Sequence, residues 1–93
     1  LAYCFEALGC VTIVLGDLVA GARYFGLADR LRDEVQTPRA PFDMILYAPY
    51  LETLERQLPS AELQAHREAG RAWAVDEALA NKPIGTAGHG KAA

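Results

Sequence analysis

The sequence predicts an all-α fold, and three observations favour it. Apolar residues recur at helical spacing through most of the first 35 positions. Turn and capping residues interrupt the pattern at Gly16-Asp17 and Pro59-Ser60, as between helices. The longest β-branched run, from Val11 to Val14, lies within the stronger helical pattern. No segment therefore predicts a β-strand.

The first helix is predicted over residues 2–15, and it is apolar on all sides. Glu6 is its only charged residue. A helix of this kind must be covered all round, which a chain of 93 residues can hardly do by itself. We therefore expect part of the helix to face another molecule or another part of a longer chain. The residues predicted to form this interface are Cys4, Val11, Ile13 and Val14.

Residues 1–35 are predicted to form an antiparallel helical hairpin. Gly16 fits the left-handed position that ends a helix, and Asp17 fits the cap that begins the next, over about residues 18–35. Gly21 and Ala22 lie on the apolar stripe of the second helix and would let its partner approach closely. The predicted hairpin core consists of Phe5, Leu8, Leu15, Leu18, Phe25 and Leu31.

Residues 36–42 form a Pro-containing linker, and residues 43–81 are predicted to hold the C-terminal helices. Asp43 would cap a third helix that Pro49 kinks or breaks. Its apolar stripe would be Tyr47, Leu51, Leu54 and Leu58.

Ser60 would cap a fourth helix over about residues 61–69, which Gly70 would end. Trp73 falls in a connector. Asp76 then opens a last short helix, and residues 82–93, rich in Gly, read as a flexible tail.

Composition excludes several classes of function. The chain is 10.1 kDa with a formal net charge of −3, so it lacks the basic surface that binds nucleic acid or a membrane. Cys4 and Cys10 lie too far apart on one helix for a disulfide, which indicates a reducing, cytoplasmic location. The apolar run from Leu1 to Leu15 is too short to span a membrane. Because the chain begins with Leu, we expect it to be part of a longer protein.

No residue pattern predicts a catalytic, cofactor or metal site. His66 is a single histidine on a polar helix face, and His89 lies between glycines. The run from Gly85 to Lys91 has the spacing of a phosphate-binding loop, but Ala92 stands where that motif needs Ser or Thr. We therefore expect no cofactor and no enzymatic activity.

Residues 1–35 resemble a tetratricopeptide-type helical hairpin, in Leu8-Gly9, the Gly16-Asp17 turn and Phe25 at roughly the spacing of that repeat. Residues 3–81 more closely resemble the C-terminal helical segment of LuxR-family and related predicted-ATPase transcriptional regulators of actinobacteria. The matching segments are residues 15–17, 22–32, 70–73 and 76–80. The resemblance implies a structural segment of a larger signal-responsive regulator, and it assigns no catalytic residue here.

Three functions therefore stay open. The chain is expected to be a non-catalytic helical interaction module that packs on preceding repeats or on a protein partner, and to form a homodimer when isolated. The alternatives are a small stand-alone helical ligand-binding protein or enzyme, and a DNA-binding helical domain. Arg23 and Arg30 favour the last function, whereas Asp29, Asp33 and Glu34 offset their charge.

Overall fold

The computed structural model describes residues 1–80, and these residues are all-α. They form five helices: α1 (Ala2–Val14), α2 (Leu18–Val35), α3 (Pro41–Gln57), α4 (Ser60–Arg71) and α5 (Val75–Ala80). No strand occurs within these 80 residues. The predicted tail over residues 82–93, with His89 and the run from Gly85 to Lys91, lies outside the described residues.

The turn between α1 and α2 has the predicted chemistry. Gly16 adopts a φ of +92°, and the backbone N–H of Asp17 donates to the carbonyl of Thr12 at 2.9 Å. This bond closes α1 in a Schellman motif. The Asp17 carboxylate then accepts a hydrogen bond from the N–H of Ala20 at 3.1 Å, which caps α2.

Helix α2 is the centre of the fold, with α1 and α4 packed against it. One core cluster contains Phe5 of α1, Tyr24 and Leu27 of α2 and Ala78 of α5. A second cluster is built around Phe25, with Ile13, Tyr47 and Leu54 among its members. The core prediction is confirmed for Phe5 and Phe25, which are fully buried. It is wrong for Leu15, which is 61% exposed in the turn.

Glycines allow α2 to approach both of its neighbours closely. A Cβ on Gly21 would clash with the Ile13 side chain, and one on Gly9 with the Phe25 ring. On the α4 side, a Cβ on Gly26 would overlap the backbone of Arg67. A Cβ on Gly70 would overlap the backbone of Arg23. The Gly26 and Gly70 contacts are reciprocal, so the backbones of α2 and α4 touch where the helices cross.

Helix α3 differs from the prediction at its first residue, and at Pro49 it excludes one of the two predicted outcomes. It begins at Pro41, not after an Asp43 cap, because Pro is well suited to the first turn of a helix. It then continues through Pro49 and is not broken there. Pro49 is exposed, so its ring lies on the outer side of the helix, where it displaces no packed side chain. The predicted stripe is confirmed, since Tyr47 and Leu54 are buried and Leu51 and Leu58 pack against them.

Helix α4 is longer than predicted at both ends. Ser60 is its first residue and makes no cap, and Gly70 lies inside the helix, buried against α2. Glycine is therefore needed at position 70 because α2 leaves no room for a side chain, and not because the helix ends there. Trp73 lies in the connector to α5, as predicted, with its ring 5.2 Å from that of Tyr24.

Candidate interface on helix α1

Three of the four residues predicted to form an interface share one exposed side of α1. Cys4 is exposed, Val11 is 41% exposed and Val14 is 72% exposed. The prediction is wrong for Ile13, which is only 7% exposed and packs toward Gly21. Successive helical residues are 100° apart, so Ile13 projects about 130° away from the mean direction of Val11 and Val14.

The exposed side of α1 is an uninterrupted apolar strip, which we call the α1 outer face. It consists of Cys4, Ala7, Val11, Val14 and Leu15. Positions 4, 7, 11 and 14 have the three-and-four spacing of a helix that packs along another helix. The one charged residue of α1, Glu6, points to the opposite side and is fully buried. The strip therefore offers apolar contact and no charge.

A second apolar strip lies on the N-terminal half of α3, and we call it the α3 outer face. Its residues are Phe42, Ile45, Leu46 and Pro49. Phe42 and Ile45 are each 73% exposed. A groove of about 200 Å³ adjoins the two helices, lined by Cys10, Val11, Val14, Leu15 and Tyr50. The groove places Tyr50 of α3 beside the α1 outer face.

Ion pairs beneath the α1 outer face fix the position of α1. Glu6 accepts two hydrogen bonds from the Arg32 guanidinium, at 2.7 and 2.8 Å, and one from Nε of Arg39 at 2.5 Å. Arg39 also pairs with Asp29 at 2.6 Å, and Asp29 with Arg67 at 2.6 Å. The network joins α1, α2, the linker and α4.

The network determines the ionisation of Glu6. Burial by itself would raise the pKa of this carboxyl, but the hydrogen bonds and charges of Arg32 and Arg39 together hold its pKa below the ordinary value. Glu6 is therefore ionised at neutral pH. Sequence analysis missed this role because Arg32 and Arg39 lie 26 and 33 residues away.

The thiol beside the groove stays protonated at neutral pH. Burial, helped by the negative charge of Glu6, raises the pKa of Cys10 to about 11. Both Cys4 and Cys10 are free thiols. Cys4 lies on the α1 outer face and is the accessible one of the two.

The arginines near the linker form ion pairs with carboxylates of the same chain. A surface cleft of about 330 Å³ is lined by Asp29, Arg32, Asp33, Pro38, Arg39 and Arg71. Arg32 and Arg39 pair with Glu6, and Arg71 pairs with Asp33 at 2.8 Å. The cleft is therefore already neutralised by its own carboxylates.

Arg23 and Arg30, the two arginines that favoured DNA binding, also make contacts with α4 and the residues that follow it. Arg30 donates from Nη1 to the carbonyls of Arg71 and Trp73, at 2.8 and 2.9 Å, and so caps the end of α4. The backbone of Arg23 lies against Gly70. His66 is half-buried on α4. None of the hydrogen bonds and ion pairs described for residues 1–80 joins its side chain to a possible catalytic partner.

Comparisons with protein-family models, with curated proteins and with solved structures give no match for this chain. Within residues 1–80, each helix is too short or too polar to cross a membrane. No group of three or more His, Cys, Asp or Glu residues in the same part of the chain is arranged to hold a metal ion.

Proposed function

We propose that this chain is a non-catalytic helical interaction module that binds through the α1 outer face. The observation that carries the proposal is the uncharged strip formed by Cys4, Ala7, Val11, Val14 and Leu15. Soluble monomers rarely expose a contiguous apolar patch of more than a few hundred Å², and larger patches mark interaction sites. The spacing of the strip suits a helical partner.

The rigidity of α1 supports a binding role for this surface. Its inner side is fixed by the buried Glu6 ion pairs and by the close contact of Gly9 with α2. A surface that is held in place before binding loses little conformational entropy when a partner arrives. The fold thus presents the apolar strip on a fixed support.

The resemblance to actinobacterial regulators suggests where such a module acts. In this proposal, the chain is the C-terminal, tetratricopeptide-like part of a signal-responsive transcriptional regulator whose ATPase domain lies elsewhere. Its surface would pack on preceding repeats or on a protein partner, without touching DNA. The free thiols of Cys4 and Cys10 agree with a cytoplasmic location.

Site-specific photo-cross-linking in the cells that produce the chain tests the proposal. A photoreactive residue is placed at Val14 on the strip or, as a control, at Glu62 on the exposed side of α4. We expect one discrete adduct from position 14, identified by mass spectrometry, and none from position 62. Val11→Glu should abolish that adduct. If position 14 gives no discrete adduct, the proposal is wrong.

A further inference from the structure

We propose that α3 and the linker segment before it form a hinged strap, which opens as one unit while the other helices of residues 1–80 stay together. The α3 strap is residues 38–57, and we call α1, α2, α4 and α5 the frame. Three observations support the inference: the apolar attachment of α3, the non-helical chain at both of its ends, and a polar latch at Arg39. The inference concerns the interior beneath α3, so it does not depend on binding at the α1 outer face.

Helix α3 is attached to the frame by apolar contacts. Of its 17 residues, only Tyr47 and Leu54 are buried. Among the hydrogen bonds and ion pairs described for residues 1–80, none joins a residue of α3 to another helix, and those of the Thr53 hydroxyl stay within α3. Pro49 also removes one backbone hydrogen bond from inside the helix. A segment with so little buried apolar surface opens at a lower free-energy cost than the core does.

The frame is held together by contacts of a different kind. The backbones of α2 and α4 touch at Gly26 and Gly70. The buried Glu6 carboxylate of α1 pairs with Arg32 of α2 at 2.7 Å. The Tyr24 hydroxyl of α2 donates to a carbonyl of α5 at 3.0 Å. Breaking such bonds leaves buried polar groups unpaired, which is costly. The frame should therefore stay assembled when the α3 strap opens.

The chain is non-helical on both sides of α3, which supplies two hinges. Helix α2 is closed by Gln36 in the left-handed conformation, with a φ of +56°, and residues 37–40 belong to no helix. After α3, Leu58 and Pro59 are both extended, with ψ of 134° and 143°. A few residues between packed elements are enough to absorb the backbone rotation of a hinge. Rotation at these two points moves α3 without unwinding α2 or α4.

Arg39 is the polar latch that holds the α3 strap closed. Its guanidinium pairs with Glu6 of α1 at 2.5 Å and with Asp29 of α2 at 2.6 Å. Each of these carboxylates has a second partner within the frame, because Glu6 also pairs with Arg32 and Asp29 with Arg67. When Arg39 leaves, both carboxylates thus remain paired. Opening therefore strands no buried negative charge, which limits its cost.

The closed strap covers the second core cluster. The ring of Phe25 meets that of Tyr47 edge-on, with 5.8 Å between the ring centres. The Arg39 guanidinium lies 5.7 Å from the centre of the Phe25 ring, within the range of a cation–π contact. Opening removes both neighbours and exposes a ring that is fully buried in the closed state. The first core cluster, which contains no residue of the strap, stays closed.

Two alanines of α2 provide matched probes of opening. Ala22 belongs to the second cluster and Ala28 to the first, and both are fully buried. In a Cys4→Ser, Cys10→Ser background, Ala22→Cys and Ala28→Cys each place one thiol at one of these positions. A buried thiol reacts with an aromatic disulfide reagent only when the structure around it opens. Each reaction rate is compared with the rate that global unfolding of the same variant allows, measured in urea.

We expect the Ala22→Cys thiol to react at least about tenfold faster than global unfolding allows, because opening of a part of the fold needs less free energy than unfolding of the whole. The Ala28→Cys thiol should react at the rate set by global unfolding. If the two thiols react equally fast relative to global unfolding, α3 does not open by itself and the inference is wrong.

Arg39→Met tests the latch, because methionine keeps an unbranched side chain without the charge or the donors. It should accelerate the Ala22→Cys reaction at least about tenfold, since two charge-assisted bonds are lost. It should accelerate the Ala28→Cys reaction much less. The control is Arg71→Met, which removes the exposed pair with Asp33 outside the strap and should change either rate by less than about threefold. Equal acceleration of both probes by Arg39→Met would show that Arg39 stabilises the whole fold, and it would overturn the proposed latch.

Discussion

The substitution Gly70→Ala tests the closest backbone contact in the structure. Gly70 lies inside α4 and is buried against α2, where a Cβ would overlap the carbonyl of Arg23. In an ordinary helix interior, Ala is more favourable than Gly by about 1 kcal/mol. Here the added methyl group forces two backbones apart, and overpacking of this kind costs about 1–3 kcal/mol and occasionally more. Because backbone yields less than a side chain, we expect the clash to prevail.

A clash with backbone lies at the upper end of that range, and the gain of about 1 kcal/mol in helix propensity offsets part of it, so the expected net loss in the free energy of unfolding is about 2 kcal/mol. For a domain of this size that corresponds to a fall in Tm of roughly 8–16 °C. Urea unfolding followed by circular dichroism at 222 nm measures it, at one protein concentration because any dimer makes stability concentration-dependent. The control is Ala69→Gly, an exposed neighbour in α4 whose substitution changes helix propensity alone and should cost about 1 kcal/mol.

The reciprocal glycine gives a second, sharper readout. Gly26→Ala should destabilise by a similar amount, because its Cβ would overlap the Arg67 backbone at the same helix crossing. Once one substitution has separated α2 from α4, the other should cost less, so the double variant should be less destabilised than the sum of the two single variants. A Gly70→Ala variant more stable than the unaltered chain would refute this account of the crossing.

Three further substitutions test the core and the ion pairs. Phe25→Ala should cost about 3–5 kcal/mol in urea unfolding, because the ring is fully buried; a loss below 1 kcal/mol would contradict its place in the core. Tyr24→Phe should cost about 0.5–1.5 kcal/mol, because the buried hydroxyl donates to the carbonyl of Ala78 at 3.0 Å. Glu6→Gln should cost about 3–5 kcal/mol at pH 7, because Arg32 loses its counterion and Arg39 keeps only Asp29. The lowered pKa of Glu6 stabilises the fold above the unfolded pKa of about 4.3, and that contribution is lost as pH falls through the folded pKa. The stability difference between the Gln variant and the unaltered chain should therefore shrink on acidification below pH 4 in the same assay, and a constant difference would argue against the ion pairs.

The structure could be predicted from the sequence alone where a local motif determines it. The Gly16-Asp17 turn could be predicted because one residue needs a positive φ and the next supplies a capping carboxylate. The stripe of α3 followed from spacing alone, and so did the burial of Phe5 and Phe25. In each case, residues within a few positions of one another carry the whole signal.

The failures occur where distant parts of the chain decide the outcome. Gly70 has the local signature of a helix stop, but the backbone of Arg23, 47 positions earlier, needs the space that its missing side chain leaves. Ser60 is a good cap residue, yet α4 has already begun there after Pro59. The interface prediction placed Ile13 outward because neighbours of similar hydrophobicity surround it. The contact that turns Ile13 inward is with Gly21 on the next helix, which the neighbours of Ile13 do not reveal.

The orientation of α1 depends on this kind of long-range information. Apolar residues occur all round the helix, so burial of apolar surface favours no single rotation of α1 about its axis. Other contacts choose the rotation: Glu6 reaches Arg32 and Arg39, and Gly9 lies against Phe25. Thr12 is buried beside them because its hydroxyl donates back to the carbonyl of Gly9 at 2.8 Å.

Two polar residues and a glycine thus determine which apolar residues remain outside. It follows that loss of the Glu6 charge should affect more than stability, because the rotation of α1 loses its strongest restraint. The α1 outer face is a consequence of the buried charge on the opposite side of the same helix. An exposed surface made wholly of apolar residues is therefore specified by the few residues of α1 that are not apolar side chains.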